Sequence, residues 1–204
     1  MSRDDTSADL AARRGYHHGN LREALLEAAR RLTAERGPHG FTMAEAARLA
    51  GVSASAPYRH FKDRDALLAA LCRRGFALFG ARLGQAAEAG GLTAMGHAYL
   101  AFAREEPGYY GAMFDWRSLR REDSGDSFGA LVSAIARLLP PAGAGDAAPG
   151  RARLLALEVW AISHGVAGLE RAGMPPPGPG TPPPEAVLED AVARILGLRP
   201  APAA

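Results

Sequence analysis

Residues 41–68, FTMAEAARLAGVSASAPYRHFKDRDALL, constrain this 204-residue chain more than any other stretch. Thr42 followed three positions later by Glu45 is a capping box, set ahead of the small apolar run Ala46, Ala47, Leu49, Ala50. Gly51 stands where that helix must stop, because glycine takes the left-handed conformation without a Cβ penalty. Ser53 is suited to cap a second helix over 54–61, and Asp63 a third. Ala47, four residues before Gly51, offers the small side chain that two crossing helices need. Two short helices about a glycine turn make a helix-turn-helix, whose second helix enters a DNA major groove.

Elsewhere the apolar spacing is also helical. Leu21, Leu25, Ala28 and Leu32 follow the Asn20–Glu23 capping spacing and predict a helix ending at Gly37-Pro38. Further helices are expected over Leu92–Glu106, Pro107–Trp116, Ser127–Leu139, Arg151–Ala172 and Glu185–Leu198. PAGAGDAAPG (141–150) reads as a loop and MPPPGPGTPPP (174–184) as a semi-rigid spacer. No segment alternates like a strand, so the expectation is an all-α chain of about nine helices.

Charge is unevenly spread. Residues 10–75 hold twelve Arg or Lys against six Asp or Glu, and residues 76–204 eleven against thirteen. A basic first third is the footprint of a nucleic-acid-binding module. No run of eighteen apolar residues occurs, so no membrane span is expected. The N-terminus lacks the apolar segment of a secretory signal, and the single Cys72 makes no intramolecular disulfide. These features together predict a cytoplasmic protein.

FTMAEAARLAGVS, then APYRHF, then a helix opening at DRDALL resemble the TetR family of bacterial one-component repressors, most densely over residues 20–71. VWAISHG (159–165) is similar to the Trp…His-Gly motif of one C-terminal subgroup of that family. The resemblance implies an N-terminal three-helix DNA-binding domain and a C-terminal α-helical domain for ligand binding and dimerisation. The boundaries expected are an arm over 1–18, the helix-turn-helix domain over 19–66, the second domain over 67–198 and a tail over 199–204. It also implies a palindromic double-stranded operator, a homodimer and a small-molecule effector.

On the DNA side the candidates are Thr42, Ser53, Ala54, Ser55, Ala56, Tyr58, Arg59, His60, Lys62 and Arg64. The small residues let the backbone approach bases, offering hydroxyls or methyls, and the long side chains supply donors. By resemblance, Tyr58 and His60 hold phosphates, and Arg64 takes the place of a lysine that does likewise. Pro57 departs from an ordinary helix, so the turn is expected to be tighter or shifted there.

In the second half, Leu155, Val159, Ile162, Val166 and Leu169 alternate by four and three residues. With Leu188, Ala191, Val192 and Ile195 in the last helix they form the expected dimer seam; packing inside the monomer is the alternative. Tyr99, Phe102, Tyr109, Tyr110, Met113, Phe114, Trp160 and His164 are the candidates for an effector pocket taking an apolar or aromatic molecule; ordinary core packing, with His164 hydrogen-bonded inside it, is the alternative. His97 and His164 lack partners at metal-ligand spacing, and no cofactor motif occurs, so neither metal nor cofactor is expected. There is no phosphate loop, GxSxG or HExxH, which argues against an enzyme. The alternative left open is an all-α small-molecule-binding protein or enzyme with no business on DNA.

Overall fold

The computed structural model describes residues 21–115, 127–139, 148–176 and 178–198. The expected arm (1–18), the Asn20 cap, Trp116, most of the 141–150 loop and the tail lie outside the described residues. Within them are seven α-helices, one 3₁₀ turn and no strand: α1 (Leu21–Arg36), α2 (Met43–Leu49), the turn Ala56–Arg59, α3 (Arg64–Glu105), α4 (Pro107–Met113), α5 (Ser127–Leu138), α6 (Ala148–Arg171) and α7 (Pro184–Ile195). The class is all-α; the count falls short of nine partly because the expected second helix of the motif is a 3₁₀ turn.

The chain forms two compact units. The first holds residues up to Gly75 together with Gly108–Asp123; the second holds Phe76–Pro107 and the chain from Ser124 onward. This partition differs from a simple division near residue 66. The chain leaves the first unit inside α3 and re-enters it with α4, because α4 has its own contacts there. Gly108 lies so close to α1 that a Cβ on it would sit 2.1 Å from the Arg30 carbonyl oxygen. At Gly75 a Cβ would meet Met113 at 2.8 Å.

In the first unit α1 buries Leu25, Leu26, Ala28, Ala29 and Leu32, the stripe its sequence spacing requires. Gly37, at φ +77°, ends the helix with its N–H on the Thr33 carbonyl at 2.9 Å. Leu67, Leu68, Leu71 and the fully buried Cys72 add the first turns of α3 to this core.

In the second unit α3 breaks at Gly90 (φ −154°) and Gly91 (φ +64°), which separates 64–89 from the expected helix beginning at Leu92. Ile135, Ala156 and Val159 centre a core that Leu92, Phe128, Leu155, Val192 and Ile195 complete. Leu155, Val159, Val192 and Ile195, expected in a seam between two chains, therefore pack inside their own chain. So does Leu188, buried and 3.1 Å from where a Cβ on Gly96 would stand. The reason is that α6 is apolar on two faces, and the inward one is the row 152, 156, 159, 163, 167. By length and composition alone, Gly150–Arg171 is apolar enough to cross a membrane. Arg104 joins three helices, bonding Glu170 of α6 at 2.7 Å and Glu185 of α7 at 2.6 Å.

Candidate nucleic-acid interface and effector cavity

Thr42 and Glu45 form the capping box reciprocally: the Glu45 N–H donates to Thr42 Oγ1 at 3.2 Å and the Thr42 N–H to Glu45 Oε2 at 2.8 Å. The Thr42 hydroxyl also donates to Glu45 Oε2 at 2.9 Å. These bonds, with Arg36 at 2.9 Å, hold the Glu45 carboxyl below the usual carboxylate range, the Thr42 backbone bond foremost. Both donors of Thr42 thus go to Glu45. This reciprocal box orients α2.

Gly51 (φ +72°) turns the chain, its N–H on Arg48 O at 3.1 Å, and Val52 N–H returns to Ala47 O at 3.0 Å. Ala47 is fully buried at this crossing. Ser53 does not cap an α-helix as its position suggests; its hydroxyl lies 3.4 Å from that of Ser55. Pro57 has no N–H to begin an α-helical ladder. The segment closes instead as a 3₁₀ turn, with Ala56 N–H on Ser53 O at 3.0 Å and His60 N–H on Pro57 O at 2.9 Å.

The turn has two distinct faces. Pro57 and Phe61 are buried, and the Arg22 guanidinium lies 5.5 Å over the Phe61 ring. Ser53, Ala54, Ser55, Tyr58, Arg59, His60 and Lys62 are exposed, and Ala56 is half-buried. Tyr58 is 59 % exposed, so its ring stands outside the core. The Asp63 carboxylate caps α3, accepting from Ala66 N–H at 2.8 Å.

Arg64 is half-buried rather than free-standing. Its Nη1 donates to the His39 carbonyl at 3.4 Å, and its Nη2 lies 3.1 Å from His39 Nδ1 and 3.2 Å from Asp65 Oδ1. His39 Nε2 is in turn 3.0 Å from Asp115 Oδ2. Sequence reading missed His39 and Asp115 because 25 and 76 residues separate them from their partners in the chain.

The effector candidates divide between the units. In the second, Phe79, Leu83, Met95, Tyr99, Phe128, Leu131, Val159 and Trp160 line a cavity of about 40 Å³. Phe128 stacks on Trp160 with centroids 5.2 Å apart, and Phe79 meets Tyr99 edge-on at 5.1 Å. Phe102 packs edge-on against Phe79 at 5.2 Å. The Tyr99 hydroxyl lies 3.3 Å from His164 Nδ1. Although His164 retains much surface, partial desolvation pushes its imidazole below the usual histidine range.

Of the candidates only Tyr99 and Trp160 line this cavity; Phe102 and His164 lie outside its lining, and Tyr109, Tyr110, Met113 and Phe114 belong to the first unit. Tyr109 lies beneath the Arg30 guanidinium, 5.9 Å from centroid to charge, and Tyr110 packs on Phe114 at 4.8 Å. Phe79, Leu83, Met95 and Leu131 were missed as lining, since apolar residues at helical spacing carry no mark of which cavity they face. A larger open groove of about 960 Å³ runs between the Gly90–Gly91 break and α7.

The lowered His164 value has a direct consequence. Protonation is disfavoured in the folded state, so stability is full above the usual histidine range and falls as pH drops through it. The difference in melting temperature between pH 7.5 and pH 5.5 should therefore shrink in His164→Phe. An identical pH dependence in variant and wild type would remove His164 as its source.

With this geometry in place, comparison with known proteins is specific. Residues 25–71 match the bacterial regulatory proteins of the tetR family, and residues 92–195 a tetracyclin repressor-like C-terminal domain. That description names no Trp…His-Gly subgroup. The HTH-type transcriptional repressors AcnR of Corynebacterium efficiens and Corynebacterium glutamicum are each 34 % identical over 105 residues, 52 % of this chain. The chain spans about half the length of these curated relatives, the match covering 50 % of each. A protein of unknown function from Rhodococcus sp. RHA1 is 31 % identical with a TM-score of 0.71, over 90 % of this chain and 97 % of that one. A TetR-family transcriptional regulator from Streptomyces coelicolor shares the fold at 19 % identity and a TM-score of 0.59, over 87 % and 98 %. From the capping box through the paired C-terminal helices, this chain belongs to the TetR family of bacterial transcriptional regulators, not to an enzyme family.

Proposed function

We propose that the protein is a dimeric repressor that binds an approximately palindromic operator and is released by a small apolar or aromatic effector. The observation that carries this reading is the two-faced turn: Pro57 and Phe61 anchor it, while Ser53–Ser55, Tyr58, Arg59, His60 and Lys62 stand exposed side by side. Tyr58, Arg59, His60 and Lys62 supply donors to phosphate, and the small residues before them approach base edges. The relatives named as repressors support the direction of control. A protein acting on chromosomal DNA in this way works in the cytoplasm.

Pairing is assigned to the outward face of α6, where Leu154, Leu157, Ala161, Gly165, Gly168 and Leu169 are exposed. The effector is assigned to the second unit's cavity. At about 40 Å³ it has room for only a few waters, far short of the roughly 300 Å³ or more of a typical ligand pocket. A ligand must displace side chains such as Met95 or Trp160, and this coupling is what makes binding favour one conformation. An effector of equal affinity for both states shifts nothing.

A duplex selected by the wild-type protein from a random library tests the reading. Binding to it, and not to a scrambled duplex, should appear as a mobility shift at several salt concentrations. Lys62→Ala and Arg59→Ala should each weaken binding to every sequence and flatten the salt slope by about one unit. Changes at Ser55 should instead alter preference among sites. Failure to enrich any duplex would leave the small-molecule-binding alternative standing.

A further inference from the structure

We infer that His39 is a positioning residue for DNA binding: it sets the Arg64 guanidinium for a phosphate by bridging it to the buried Asp115. The inference rests on the reading of Arg64 as a phosphate contact. Arginine only donates, so the Nδ1 that faces Arg64 Nη2 at 3.1 Å must accept. With Nδ1 accepting, the ring proton sits on Nε2, which donates to Asp115 Oδ2 at 3.0 Å. The Asp115 side chain is only 6 % exposed, and a buried carboxylate is stable when donors face it. Its negative charge in turn polarises the imidazole and strengthens the acceptor offered to Arg64.

The three groups come from three elements: the loop between α1 and α2, the first turn of α3, and the chain just after α4. Arg64 Nη1 also holds the His39 carbonyl at 3.4 Å, so the fork is gripped at both nitrogens by one residue. With Nη2 also donating to Asp65 Oδ1 at 3.2 Å, Nε–H and one Nη1–H are left outside these bonds among the described residues. A phosphate approaching α3 thus meets a fork whose rotamers are already restricted, and less side-chain entropy is lost on contact.

The test is a double-mutant cycle on the selected duplex, with melting followed by circular dichroism. Arg64→Ala and His39→Ala should each weaken binding about tenfold, the loss of one charge-assisted contact. The double variant should bind no worse than Arg64→Ala alone, because His39 acts through Arg64. His39→Gln, which carries an amide donor and a carbonyl acceptor, should stay close to wild type. Asp115→Asn, the safer variant if His39→Ala fails to fold, should lose affinity only when Arg64 is present. Additive losses, or no loss in folded His39→Ala, would overturn the inference while leaving Arg64 a DNA contact. Wild-type binding by Arg64→Ala would overturn the phosphate reading itself, and the inference with it.

Discussion

Leu157→Asp should yield a folded monomer that no longer binds the selected duplex specifically. Leu157 is 49 % exposed and Leu154 57 % exposed within the subunit, on the side of α6 opposite the core row. Ala161, Gly165 and Gly168 continue that face. A Cβ on either glycine would meet nothing within 4 Å. The subunit therefore has no need of glycine there, yet each costs a helix interior about 1 kcal/mol relative to alanine. In the proposed pairing, a partner helix at close range would supply the missing contacts. The introduced carboxylate would be buried twice in a symmetric interface, unpaired, at several kcal/mol per dimer. Light scattering should read a monomer with a melting temperature close to wild type. Val159→Asp, two residues away but 4 % exposed among Ile135 and Ala156, should instead unfold the unit. A Leu157→Asp protein that stays dimeric would place the interface elsewhere.

Gly108→Ala should destabilise the DNA-binding unit, although it lies more than forty residues beyond the helix-turn-helix region. The added Cβ would stand 2.1 Å from the Arg30 carbonyl oxygen and 2.9 Å from its carbon, both backbone atoms of α1. Neither yields by a rotamer change, so α4 must move off α1. The expected cost is about 1–3 kcal/mol or more, against a total stability on the order of 5–15 kcal/mol. Gly111→Ala is the control, because its Cβ would meet only Thr33 Cγ2 at an ordinary 3.4 Å. Thermal melts by circular dichroism should separate the two, and operator binding at 37 °C should fail first in Gly108→Ala. Equal melting temperatures would mean that α4 is not seated on α1.

Much of the DNA-binding unit was legible in the sequence because its decisive interactions are local. The Thr42–Glu45 box, the Gly51 turn and the Asp63 cap each join residues within a few positions. Chain chemistry at that range reads directly from residue type and spacing. Pro57 announced a disturbed turn, and its missing N–H accounts for the 3₁₀ geometry. Arg64 was legible as a cation but not as a held one, since His39 and Asp115 reach it only through folding.

The second unit shows where sequence reading stops. Periodicity established that α6 and α7 carry apolar stripes, but α6 is apolar on two sides. Val159 and Leu157 are two residues apart, nearly opposite on a helix with 3.6 residues per turn. Only the docking of α5 and α7 selected which side turns inward. In the same way Tyr109, Tyr110 and Met113 read as apolar residues of the second half, with nothing to say which core they join. The helices, most of their caps and the basic motif follow from residue order, because those depend on neighbours along the chain. That α4 belongs with the first unit, that much of the expected seam is core, and that Arg64 is gripped by His39 emerged only on packing. Those outcomes depend on which surfaces meet, and hydrophobic burial, being non-directional, leaves that choice to the packing of the whole.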